Sequence, residues 1–285
     1  MTTNKTASEI TPAIAVRLLD DLTAIVARAA AATLARPVAE IERRLKPDQS
    51  PVTAADEASE AVILEGLARL LPGLAVVAEE SVGRAPADLG ASFAIVDPLD
   101  GTKEFIAGRD EFTVNLAIAT GGVPVAGLIA APAQGVLWRG VPGHGAERLS
   151  MDWATGRIAT RAAIHTRPAP ERLTVAVSRS HMDKETQAWL GRFAATEPYA
   201  CGSSVKFCHI AEGKADLYPR LSPTSEWDIA AGCAILAAAG GVVTDPHGQP
   251  LRFGSGGKFL VPGFIAWGDP QRAARADAVS GRSTA

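Results

Sequence analysis

Hydrophobic and polar positions change period several times along the 285 residues, and each change marks an expected element. Residues 11–35 carry Ala, Leu and Val at helical spacing behind Pro12, which predicts a long amphipathic helix after a polar N-terminal stretch. A second helix is expected over 54–71, opened by a Thr53-x-x-Asp56 capping pattern and stopped at Pro72-Gly73. Residues 74–78 and 93–96 read as short buried strands. The second runs through Asp97-Pro98-Leu99-Asp100-Gly101-Thr102 into a helical turn over 103–107. From 114 to 148 the runs VNLAIA, VAGLIAAP and VLWRGV, separated by Gly, Pro and Gln-Gly, predict an antiparallel sheet.

The stretch HTRPAPERL, residues 165–173, opposes helix at Pro168 and Pro170 and is the best boundary in the chain. It divides an N-terminal α+β region, 1–167, from a C-terminal region, 168–285. In the latter a strand over 173–177, helices over 184–195 and 204–212, a strand over 215–218 and a helix over 228–239 alternate. That last helix closes at Gly240-Gly241. The fold class expected is α/β.

With 47% hydrophobic and 21% charged residues the chain is a folded protein. A net charge of −3 gives no general attraction to nucleic acid polymers or an anionic membrane, so an anionic small molecule has to be drawn in by local cations. Cys201, Cys208 and Cys233 lack CxxC spacing, which suits a reducing cytoplasm. The apolar run over 18–35 is broken by Asp20, Asp21 and Arg28, so neither a signal peptide nor a membrane helix is expected there.

Five acids, Asp56, Glu79, Asp97, Asp100 and Asp228, each stand close to the end of an expected element. If Asp97 ends a strand and Asp100 opens the turn after it, both carboxylates and the Leu99 carbonyl converge as hard oxygen ligands. Such a group needs cations, or its members must take up protons. Free N–H groups after Gly101 would offer an anion site beside them. Each acid also has a plainer reading: a surface turn for DPLDGT, a solvated loop for Glu79-Glu80, a helix cap for Asp228. Gly254 to Lys258 lacks the spacing of a phosphate loop, and Ser178, Ser180 and His181 lack a nucleophile elbow. His209 and the Trp residues read as packing.

Taken together, T53AAD56, AE79ES, D97PLD100GT102 and E226WD228IAAG, in that order, resemble the inositol monophosphatase family of lithium-sensitive, Mg²⁺-dependent phosphatases. The finer pattern D97PLDGTKEF105, S178RSH181, G202SSVKFCHIAEGKADLYPR220 and E226WD228 is similar to the bacterial 3′(2′),5′-bisphosphate nucleotidases of the CysQ type. The resemblance implies a layered αβαβα fold with the site between the two halves. It implies Mg²⁺ on Glu79, Asp97 and the Leu99 carbonyl, a second Mg²⁺ on Asp97, Asp100 and Asp228, and a third if Glu79 shares a weaker ion. Thr102 with Asp56 would orient or deprotonate the attacking water. Gly101, Thr102, His181, Ser203, Lys206, Arg220 and Asp228 would contact substrate. Hydrolysis of adenosine 3′,5′-bisphosphate is the activity implied first. An inositol or sugar phosphatase, or an inactive anion-binding relative, are the alternatives, and either a monomer or a homodimer fits. Pro262-Gly263 departs from the family pattern, where an Asn commonly precedes the last strand.

Overall fold

The computed structural model describes residues 9–35, 43–45, 51–179, 182–255 and 257–280. The chain opens with α1 (Pro12–Leu34), capped by Thr11, then β1 (Arg43–Leu45), β2 (Pro51–Thr53) and α2 (Ala54–Leu70). Next come β3 (Ala75–Ala78), a 3-10 turn over Glu79–Arg84, β4 (Ser92–Asp100) and the short α3 (Thr102–Ile106). The meander β5 (Thr113–Thr120), β6 (Val123–Ala131), β7 (Val136–Val141), β8 (Gly145–Asp152) and β9 (Arg157–Ile164) completes a seven-stranded sheet ordered β3 to β9. Only β3 and β4 pair in parallel in this sheet.

The second half supplies β10 (Leu173–Val177), α4 (Lys184–Leu190), β11 (Thr196–Ala200), α5 (Val205–Ala211), β12 (Leu217–Arg220), β13 (Thr224–Ser225) and α6 (Glu226–Ala238). It ends with β14 (Val242–Thr244), β15 (Leu260–Val261), β16 (Phe264–Trp267) and α7 (Pro270–Ser280). A five-stranded sheet has the order β11-β10-β12-β16-β14. The helix expected over 184–195 stops at Leu190, because Gly191 follows and residues 196–200 pair with β10 instead. The strand expected over 215–218 is displaced to Leu217–Arg220, since its register is set by β16.

Period-2 alternation divides the strands' side chains between two cores. In β4, Ala94 and Val96 face a core shared with α1 and α2, whereas Phe93 and Ile95 face one shared with α5 and α6. Both faces are covered, which is why these strands read as unbroken apolar runs. On the far side of the five-stranded sheet, Trp189 of α4 and Ala273 of α7 pack with Trp267. The result is five layers, αβαβα, as the family resemblance implied.

Helix α6 lies between the sheets and is apolar around most of its circumference, as a helix buried on all sides must be. Gly127 in β6 lets it approach: a Cβ there would come within 2.2 Å of the Ala231 carbonyl oxygen. This contact fixes the height of α6, and with it Asp228 in its first turn.

Candidate active site

Asp97 and Asp100 are three residues apart, an odd spacing that would send them to opposite faces of a regular strand. The pairing of β4 with β5 shifts between them, Asp97 opposite Asn115 and Asp100 opposite Thr113, so β4 carries one extra residue. A bulge of this kind re-aims side chains at the end of a sheet. Pro98 fits it, having no N–H to contribute to the ladder. The Leu99 N–H donates to Asp97 Oδ1 at 3.0 Å, and the Ser59 hydroxyl donates to the Pro98 carbonyl at 2.8 Å. Gly101 then turns the chain with φ +90°, leading into α3.

Asp97 is buried, and its carboxyl is pushed well above the usual range, first by burial and then by the charges of Glu79, Asp100 and Asp228. Asp228 is pushed up to about 7 by burial, with Asp100 and Glu79 adding to the rise. Four of the five acids singled out in the sequence therefore share one electrostatic field. Among the described residues no Lys or Arg forms an ion pair with Asp97, Asp100 or Asp228. Among the described residues no three acidic, His or Cys side chains stand close enough together to hold an ion by themselves. Buried oxygen donors with no ion-paired cation among the described residues suit a hard divalent ion.

Asp56 joins this group from the start of α2. Its Oδ2 accepts the Thr53 N–H at 2.8 Å and the Thr53 hydroxyl at 2.6 Å, closing the expected capping box. Its Oδ1 lies 3.3 Å from Thr102 Oγ1, which is also 3.2 Å from the Leu99 carbonyl oxygen. One carboxylate thus caps a helix with one oxygen and faces the DPLDGT turn with the other. Asp228 has the same double character: Ser225 N–H donates to its Oδ2 at 3.3 Å, and the Thr224 hydroxyl also bonds to it.

Ser204 was not legible as a site residue, yet it holds the group together. Its N–H donates to Asp100 Oδ2 at 2.6 Å, and its Oγ lies 2.7 Å from that oxygen and 2.8 Å from the Asp228 carbonyl. Asn115 Nδ2 donates to the same Oγ at 2.8 Å. Neighbouring Ser203 takes a left-handed φ of +43° and accepts at its carbonyl from Lys206 Nζ at 2.8 Å.

Beside the acids lies a cavity of about 330 Å³ whose wall includes Asp100, Gly101, Ser203, Lys206, Arg220 and Asp228. A second, of about 450 Å³, shares Lys206, Tyr218 and Arg220 with it and continues past Val177, Met182 and Pro219. Lys206 is buried, with Nζ 5.1 Å above the Tyr218 ring. The half-buried Arg220 reaches the Pro223 carbonyl at 3.3 Å. Gly263 backs it, since a Cβ there would come within 3.0 Å of the Arg220 carbonyl oxygen. His181 lies outside the described residues.

Glu226, also missed in the sequence, accepts the Gly254 N–H at 2.7 Å and ties that residue to the start of α6. Burial pushes its carboxyl up to about 7. Cys201, Cys208 and Cys233 are free and buried, His209 packs edge-on against Trp138 and Tyr199, and no described helix is long and apolar enough to cross a membrane.

Known proteins resemble this chain in sequence and fold. The family described as the inositol monophosphatase family matches residues 11–276. A protein named 3′(2′),5′-bisphosphate nucleotidase CysQ from Escherichia coli strain K12 is 43% identical over 220 residues, 77% of this chain and 86% of that protein. Its namesake from Salmonella typhimurium is 43% identical over 228 residues, 79% of this chain and 88% of the relative. Among solved structures, CysQ from Bacteroides thetaiotaomicron superposes with a TM-score of 0.71 at 33% identity, covering 88% of this chain and 97% of that one. The match to residues 11–276 and the 43% identity establish that this chain belongs to the inositol monophosphatase family.

Proposed function

We propose that the protein is a Mg²⁺-dependent phosphomonoesterase that removes the 3′-phosphate of adenosine 3′,5′-bisphosphate, giving AMP and phosphate. The carrying observation is the pair of adjoining cavities. Asp100 and Asp228, neither in an ion pair among the described residues, wall the first, and Lys206 and Arg220, which form no salt bridge among the described residues, stand where it meets the second. The relatives named as bisphosphate nucleotidases support the same reading.

Glu79, Asp97 and the Leu99 carbonyl would hold one Mg²⁺, and Asp97, Asp100 and Asp228 a second, with Glu79 able to share a third. When bound, Mg²⁺ acidifies water and offsets the charge of the phosphate. Thr102 accepts a hydrogen bond from the attacking water while its own proton points to Asp56 Oδ1. Backbone N–H groups of Gly101 and Thr102 face the scissile phosphate, and Asp228 lies on the leaving-group side. The 5′-phosphate is gripped by Lys206 and Arg220, with Ser203 beside the nucleoside. A guanidinium fork suits a phosphate that has no metal to neutralise it.

The test is phosphate release from a panel of phosphomonoesters with and without Mg²⁺. Adenosine 3′,5′-bisphosphate should show the highest kcat/KM, and chelation should abolish turnover. Preference for inositol 1-phosphate would replace the substrate assignment, and no turnover of any ester would favour the inactive relative.

A further inference from the structure

The segment between α3 and β5 brings Glu111 against the Gly202–Ser204 turn. Arg179, just beyond β10, grips the Glu111 carboxylate as a fork, Nε to Oε2 at 2.7 Å and Nη2 to Oε1 at 2.6 Å. The Gly202 N–H adds a third bond to Oε2 at 3.0 Å. An exposed ion pair alone contributes little to stability, but a bidentate pair with a backbone donor fixes geometry. Here the Glu111 side chain is only 18% exposed while Arg179 is 49% exposed. The packing is close: a Cβ on Gly202 would come within 3.0 Å of Glu111 Cβ.

The residues after Gly202 explain what this contact controls. Ser203 sits in the left-handed region, unfavourable for serine unless its neighbours hold it there. Its carbonyl fixes Lys206, and the next residue, Ser204, is bonded to Asp100. The turn is therefore clamped at one end by Glu111 and at the other by Asp100, both from the first half of the chain. Arg179 completes the clamp from the second half.

We propose that Glu111 and Arg179 are a positioning pair: they hold the Gly202–Ser204 turn in its left-handed form and so aim Lys206 at the phosphate that is not cleaved. The inference rests on the bisphosphonucleotide reading of the cleft. Neither residue touches the reacting phosphate, and Ser204 is held separately by Asp100, Asn115 and the Asp228 carbonyl, so the pair governs binding through Ser203 and Lys206 rather than the chemical step.

Calorimetry with AMP, which carries only the uncleaved phosphate, and steady-state kinetics with adenosine 3′,5′-bisphosphate test this on wild type, Glu111→Gln, Arg179→Gln and the double variant, all with Mg²⁺. Each single change should weaken AMP binding and raise KM by about five- to twentyfold, the scale of one charge-assisted bond, with kcat within about twofold. The double variant should be no worse than either single one, because the two side chains act as one unit. Arg179→Lys should recover part of the loss. Should Glu111→Gln fail to fold, as judged by thermal unfolding, Arg179→Gln carries the test from a half-exposed position. Unchanged AMP binding, additive losses, or a fall in kcat at constant KM would overturn the pair while leaving the nucleotidase reading intact. Wild-type protein that neither binds AMP nor turns over the bisphosphate would overturn both.

Discussion

Ser204 bonds to Asp100 twice, through its backbone N–H at 2.6 Å and its hydroxyl at 2.7 Å, and so ties a carboxylate at the end of β4 to the first turn of α6. Ser204→Ala keeps the N–H but removes the hydroxyl, leaving the buried Asn115 Nδ2 without its acceptor. The expected cost is about 1–3 kcal/mol in stability for that group. A roughly 10- to 100-fold loss of activity should follow from the misplaced ligands. Thermal unfolding and phosphate release at saturating Mg²⁺ check the two effects separately; wild-type kcat in a folded Ser204→Ala protein would show that the hydroxyl does not support the site.

Arg220 stands where the two cavities meet, so its loss should discriminate between substrates. Arg220→Met is expected to raise KM for adenosine 3′,5′-bisphosphate by about 10- to 100-fold, or roughly 1.5 to 3 kcal/mol for a charge-assisted bond. KM for inositol 1-phosphate should change little. Equal effects on both esters would contradict the assignment of Arg220 to the second phosphate.

The acids also set a pH dependence of stability. Asp228 is raised from 3.8 to about 7 in the fold, and Asp97 is raised as well, so between about pH 4 and 7 the native state binds more protons than the unfolded chain. For metal-stripped protein the contribution of these groups is fully present below the unfolded pKa and is lost as pH rises through the folded one. Tm of stripped protein should fall across this window, and Mg²⁺ should raise Tm more at pH 8 than at pH 5. Asp228→Asn should flatten the fall. A Tm of stripped protein that climbs from pH 5 to 8 would speak against the shared carboxylate field.

Gly127→Ala tests whether the site depends on the seating of α6. The added Cβ would meet the Ala231 carbonyl oxygen at 2.2 Å, and backbone cannot give way as a side-chain tip can. A loss of about 1–3 kcal/mol is expected from overpacking. Activity should fall with it, because Asp228 rides on the same helix. Denaturant unfolding and kcat measured on one preparation show whether the two move together.

The DPLDGT turn, the two capping acids and most element types were legible because local chemistry fixes them: Pro and Gly at the turn, Thr53-x-x-Asp56 and Ser225-x-x-Asp228 at helix starts. The β4 bulge was not, since it exists only in the register against β5. Ser204 looked no different from Ser203; its importance comes from β4 and α6 arriving from distant parts of the sequence. Strand β11 escaped because Pro198 and a mostly exposed pattern hide its pairing with β10. The exposed β9, with Arg157 and Arg161, hid its place at the sheet edge in the same way.

The proposed reaction depends above all on the buried acids holding the metal ions of a phosphatase. Titrating Mg²⁺ into stripped protein while following phosphate release from adenosine 3′,5′-bisphosphate tests it directly, with Asp97→Asn and Asp100→Asn run alongside wild type. Wild type should be silent without metal and rise to saturation. Each variant should stay folded and keep less than about a tenth of wild-type kcat at any Mg²⁺ concentration, a deficit above about 1.4 kcal/mol. Turnover by wild type in excess chelator, or more than that tenth retained by either folded variant, would contradict the account.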